Sequence, residues 1–179
     1  KKYSLNEGKY IQTDEGYAEE TGLLYDKAII AAYEKNCNIF FNEKGMRIEL
    51  KNTVIEILSP SEDYYSEDND YSAVVMIEYN GIKSLFMGDA GADIEARLIV
   101  EYGNKMKADI LKVGHHGSKS STSQEFLQVV NPQIAILSCA DNSSVLPSVQ
   151  IIDRLKSYGC DIASTIDYGN FAISVVDDD

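Results

Sequence analysis

The period of apolar and polar alternation changes partway along this chain, and that change sets the expected fold class. Thr53–Pro60 (TVIEILSP), Ser72–Tyr79 (SAVVMIEY) and Ile82–Asp89 (IKSLFMGD) are β-rich runs of strand length. The last two are joined by Asn80-Gly81, a dipeptide that accepts the two left-handed residues of a type I′ turn, so they predict an antiparallel hairpin. From Ala90 the period lengthens. Ala90–Gly103 predicts a helix with Ile94, Leu98 and Ile99 on one face, joined at its end by Tyr102. Ser121–Val130 predicts a second helix capped by Thr122 or Ser123, and Pro147–Gly159 a third, ended by Gly159. Between and after them, Ala108–Val113 (ADILKV), Gln133–Ser138 (QIAILS), Asp161–Thr165 and Asn170–Val176 predict strands. Hairpins followed by strand–helix alternation predict an α/β (α+β) protein, a mixed sheet with flanking helices.

Upstream of Lys51 the pattern is weaker. The chain is polar and irregular to about Gly16, then Tyr17–Asn36 predicts a helix, Asn38–Phe41 a short strand and Glu43–Gly45 a turn. Residues 1–50 therefore read as a linker and helix region ahead of residues 51–179. At 179 residues the chain is most simply one domain.

Composition narrows the function classes. Apolar residues make up 44% and charged residues 25%, the balance of an ordinary globular protein. The net charge of −13 opposes general binding to nucleic acid or anionic membrane, although a metal centre would neutralise the field locally. Part of the acidity is concentrated in Ser61–Asp70 and in Asp177-Asp178-Asp179, read as a solvated loop and a chain end. Cys37, Cys139 and Cys160 are few, widely spaced and without a CxxC pair, which predicts buried thiols rather than a disulfide framework or structural zinc site.

The candidate chemistry lies at two predicted strand ends. Asp89 closes SLFMGD, and the chain's two histidines, His115 and His116, follow ADILKV inside GHHGS. Ligands and catalytic groups of open α/β sheets gather at such ends. Imidazole serves as metal ligand and as acid or base near neutral pH. Asp89 taken alone reads first as a cap of the helix that starts near Gly91.

Ser72–Leu98, Ala108–Ser138 and Pro147–Gly159 together resemble the metallo-β-lactamase fold. More narrowly, they resemble the hydrolase domain of ComEC-type competence (DNA-uptake) proteins and their stand-alone relatives, over residues of about 37 to 175. The resemblance implies a four-layer αββα sandwich, of which this chain would be the C-terminal portion. It implies one or two ions, zinc or manganese, at the sheet edge, activating a water against an ester, lactone, amide or phosphodiester. Asp89 then corresponds to the metal-bridging aspartate of the GD motif. One of His115 and His116 corresponds to a metal ligand and the other would face the substrate, so these three are the catalytic and metal-site candidates. Ser118 and Lys119 would orient substrate, and Asn69, Asp70 and Ser72 match an ND-x-S segment.

Two departures shape the expectation. The HxHxDH loop that supplies most ligands in this superfamily is absent, and two histidines could not form it. Relatives read HPS where this chain has Leu146-Pro147-Ser148. One reading is a metal-dependent hydrolase of a phosphodiester or related ester, nucleic acid included, with the HxHxDH half outside these residues. On that reading this stretch alone holds no tight metal and is inactive. Its partner would be the missing half or a second copy, and its location exported or membrane-tethered. The other reading is a non-catalytic relative kept as a binding or regulatory scaffold.

Overall fold

The structure is a computed structural model and describes residues 4–6, 9–11, 28–39, 43–61, 65–140 and 145–175. The chain divides into two compact units, Lys1–Phe41 and Asn42–Asp179. In the first, β1 (Ser4–Asn6) pairs antiparallel with β2 (Lys9–Ile11), where the sequence pattern gave irregular chain. Three-residue strands are too short to show a period. Residues 28–34 form α1, and Asn36 ends the turn after it with a left-handed backbone, φ 52°. The earlier part of that predicted helix, 17–27, lies outside the described residues. So do Phe40 and Phe41; Asn38 and Ile39 are not strand.

The second unit is built on one sheet of seven strands, ordered β3 (Arg47–Leu50), β4 (Thr53–Ser59), β5 (Val74–Tyr79), β6 (Ile82–Phe86), β7 (Ile110–Lys112), β8 (Ile134–Leu137) and β9 (Asp161–Ser164). The first four are antiparallel neighbours, and β6 to β9 are parallel. The β5–β6 hairpin turns at Asn80-Gly81, both with positive φ (48° and 84°), and pairs Tyr79 with Ile82. β3 has no buried residue along its length, which is why its sequence carries no buried-strand pattern.

Each parallel step needs a crossover, and helices supply them: α2 (Ala92–Tyr102), α3 (Gln124–Val130) and α4 (Val149–Tyr158). Ile94 and Leu98 of α2, Phe126, Leu127 and Val130 of α3, and Ile151 and Leu155 of α4 are buried. They share one core with Leu85, Leu111 and Ala135, which are register partners across β6, β7 and β8. Ser123 Oγ caps α3 by accepting the Phe126 N–H at 3.2 Å, and Gly159 ends α4 at φ 92°.

Register places the alternate residues, among them Ile77, Phe86, Ile110 and Ile136, on the opposite face. The buried residues of α2, α3 and α4 belong to the core on the Leu85 side, and Phe86 on this face is 39% exposed. After α5 (Thr165–Tyr168) the chain returns over this face. Asn170–Val176 was expected to be a strand, but residues 171–175 pair with nothing. Their alternation has another cause: Phe171, Ile173 and Val175 line a cavity of about 460 Å³ against Phe86, Ile110 and Ile136. The cysteine expectation also needs correcting, since Cys37 is exposed, Cys139 half-buried and Cys160 alone buried.

Leu111 sits in the central parallel strand with no exposed surface. Leu111→Ala should therefore lower unfolding free energy by about 2–5 kcal/mol in a urea titration. Val100→Ala, at an 88% exposed position, should change it by no more than about 0.5 kcal/mol.

Candidate metal centre

The parallel pairing of Phe86 with Lys112 sends the chain out of β6 and β7 at the same sheet edge. Met87-Gly88-Asp89 leaves one strand and Val113-Gly114-His115-His116 the other. The two exits are stitched together by the backbone, with His115 N–H donating to Gly88 O at 3.0 Å. Gly114 is required there, because a Cβ would lie 2.8 Å from Ala90 O. Gly88 (φ 56°) packs as tightly, its Cβ position 2.9 Å from Ser72 Cβ. Ser72 then fixes Asp89 by accepting its backbone N–H on Oγ at 3.0 Å. Asp89 is not the cap of α2; that position is Gly91.

His115 and His116 both have left-handed backbones, at φ 46° and 53°. This turn brings the His116 ring between two oxygens. Nδ1 lies 2.7 Å from Ser138 O, and Nε2 lies 3.4 Å from Asp89 Oδ1. The carbonyl can only accept, so Nδ1 carries a proton, and Nε2 is turned toward the Asp89 carboxylate. A separation of 3.4 Å is long for a hydrogen bond. It matches the edge of a tetrahedral zinc site, about 3.4 Å for bonds of about 2.1 Å. A ligating histidine commonly donates its other ring N–H to a backbone carbonyl, which fixes the orientation of the ring. The pair fits a divalent cation, with Asp89 Oδ1 and His116 Nε2 as its donors.

The other expected residues are placed differently. Ser118 Oγ lies 3.0 Å from Ser120 Oγ, within its own loop, and Lys119 is exposed. Leu146 is brought beside the histidine turn, because Ser148 N–H donates to Gly117 O at 2.9 Å and a Cβ on Gly117 would meet Pro147 Cβ at 2.9 Å. An isobutyl group there supplies no donor atom to a cation. Among the described residues no group of three or more His, Cys, Asp or Glu side chains is placed to hold a metal ion.

Three contributors were not read from sequence. Lys112 lies in β7 just before the turn, and its ammonium donates to Val113 O at 2.8 Å. Burial pushes its pKa down, opposed by the negative charge of Asp89. Cys139 donates its thiol to His116 O at 3.3 Å, and burial pushes that thiol up. Glu95 is wholly buried on α2. Its Oε1 accepts the Thr122 N–H and its Oε2 the Ser123 N–H at 2.8 Å. An acid among the apolar positions of a helix face is the one sequence signal that pointed to it.

The chain is 31% identical over 141 residues to ComE operon protein 3 of Bacillus subtilis, covering 78% of this chain and 18% of that protein. It is 34% identical over 124 residues to Recombination protein 2 of Haemophilus influenzae, covering 69% and 15%. It thus spans less than a fifth of the length of these curated relatives. Among solved structures it resembles CmlA, a diiron β-hydroxylase from Streptomyces venezuelae, with a TM-score of 0.52 at 9% identity over 74% of this chain and 34% of that one. A Thermotoga maritima protein of the metallo-β-lactamase superfamily aligns over 72% of both chains, with a TM-score of 0.46 and 16% identity. No family profile matches the chain.

Burial raises the Glu95 pKa above its ordinary 4.5, against the lowering effect of its two backbone donors. A carboxyl whose folded pKa is raised binds protons more readily in the fold than in the unfolded chain. Its contribution is thus fully present below 4.5 and is lost as pH rises through the folded value. Urea titrations of wild type and Glu95→Gln across pH 4 to 8 should show the wild type losing stability relative to the variant as pH rises. A pH-independent difference would mean that the two N–H bonds offset the burial completely.

Proposed function

We propose that this chain, a homologue of part of ComE operon protein 3 and Recombination protein 2 with a metallo-β-lactamase-like mixed sheet, is the ligand-poor side of a metal-dependent hydrolase centre. The observation that carries the reading is the Asp89 Oδ1–His116 Nε2 separation of 3.4 Å, with Nδ1 held by Ser138 O. When bound, zinc or manganese would lower the pKa of a coordinated water and polarise the ester under attack. The chain's own residues have simpler duties. Asp89 supplies negative charge, His116 a neutral imidazole nitrogen, and Ser138 and Ser72 keep both in register. Lys112, half-buried behind the turn, adds positive charge beside the pair, which favours an anionic substrate such as a small phosphodiester. The net charge of −13 disfavours a long polyanion held outside the metal's own field.

Catalytic zinc takes about three protein ligands, so the proposal requires further donors from polypeptide beyond this pair. The same polypeptide, or a second copy of this chain, would cover the apolar sheet face that carries Ile77, Phe86 and Ile110. An exported or membrane-tethered setting fits the competence relatives; no described helix is long and apolar enough to cross a membrane. Leu146 favours one alternative. An apolar side chain beside the histidine turn suits a scaffold that has given up catalysis while keeping the fold.

Calorimetric titration with zinc and with manganese tests the reading on this chain. Binding should be weak, with a dissociation constant above about 1 μM, because a two-donor site holds only part of the roughly 10–16 kcal/mol of a full structural site. It should vanish in both Asp89→Ala and His116→Ala while circular dichroism stays unchanged. Wild type that binds neither ion at millimolar concentration would leave only the scaffold alternative. In light scattering, the open sheet face should drive self-association burying more than about 1,000 Å². A monomer at high concentration would count against that covering.

A further inference from the structure

The loop after β7 is held in a costly backbone conformation. Besides His115 and His116, Thr122 has a left-handed backbone at φ 56°, which is a steric outlier for a β-branched residue. Its side chain does not compensate: Thr122 is fully buried and its Oγ1 has no hydrogen-bond partner. What holds it is its peptide groups. The Thr122 N–H goes to Glu95 Oε1, the Ser123 N–H to Glu95 Oε2 at 2.8 Å, and Arg154 Nη1 donates to Thr122 O at 2.6 Å. Strain of this kind persists only where the surroundings over-determine it.

Glu95 also belongs to the other half of the site. It stands in the first turn of α2, the helix that begins directly after the Asp89 turn. Ala92 N–H donates to Ser120 O at 2.8 Å, and Ser121 Oγ donates to Gly114 O at 2.9 Å. One fully buried carboxylate therefore joins the element that carries Asp89 to the loop that carries His116. Two acceptor oxygens meet two N–H donors, a match that glutamine cannot reproduce because its NH₂ would face a donor.

We infer that Glu95 is the positioning residue of this centre. By clamping Thr122 and Ser123 to α2 it sets the strained 115–122 loop, and with it the His116 ring, against Asp89. Its effect on metal affinity rests on the metal reading above; its effect on the ring does not.

With only two histidines in the chain, long-range ¹⁵N–¹H spectra resolve both imidazoles, and His115→Gln assigns them. In metal-free wild type the neutral form of His116 should keep its proton on Nδ1, held by the Ser138 carbonyl. Glu95→Gln should convert it to a mixture and weaken zinc binding about tenfold or more, with circular dichroism retained. Phe126→Leu, a core change on α3, controls for lost stability and should alter neither readout. If Glu95→Gln does not fold, Arg154→Met releases the other side of the Thr122 peptide and should shift the tautomer in the same direction. A wild-type tautomer in a folded Glu95→Gln, zinc affinity within twofold, or the same changes in Phe126→Leu would overturn the inference. Should wild type bind no zinc, the metal reading falls and the tautomer comparison alone decides the role of Glu95.

Discussion

The parallel register of β6 against β7, Leu85 beside Leu111 and Phe86 beside Lys112, is the constraint on which the rest depends. Parallel neighbours cannot be joined by a turn, so α2 must cross over and bury Ile94 and Leu98 on the sheet. The same constraint makes the two strands end together. Asp89 and His116 meet because the strands that precede them run side by side in one direction. An antiparallel β6–β7 pair would have put them at opposite edges.

Around that edge the molecule separates its charges by depth. The Asp89 side chain and the His116 ring are 42% and 47% exposed, open to a cation and to solvent. Glu95 has no exposed surface and accepts peptide N–H groups on both oxygens, with Arg154 adding positive charge nearby. A buried carboxylate is costly unless donors saturate it, and its donors here are the backbone of the loop that needs fixing. The packing is as specific as the hydrogen bonding, since Gly114 and Gly88 leave no room for a methyl group where the two turns touch.

The sheet's two faces are covered differently. One face is closed by α2, α3 and α4 into a continuous core. The other carries Ile77, Phe86, Ile110 and Ile136, with the extended 171–175 segment lining a cavity over part of it. Apolar residues in near-continuous strand runs are what a sheet shows when both of its faces expect cover.

Local signals determined much of this protein from the sequence alone. Asn80-Gly81 specified a turn because few other dipeptides accept two left-handed residues, and the lengthened period after Ala90 specified crossover helices. Glycine on both sides of His115-His116 marked a turn that must pass close to other backbone. Signals failed where no face is buried over a full period: β3 lies exposed at an edge, β1 and β2 span three residues each, and 171–175 alternates toward a cavity rather than a partner strand. Tertiary structure alone decided which histidine meets Asp89, because that turns on left-handed φ angles and a carbonyl at Ser138, distant in sequence. It also decided the part played by Glu95, whose value lies in peptide groups 27 and 28 positions away. Periodicity reports which side of an element is buried; only the packed chain reports what is waiting there.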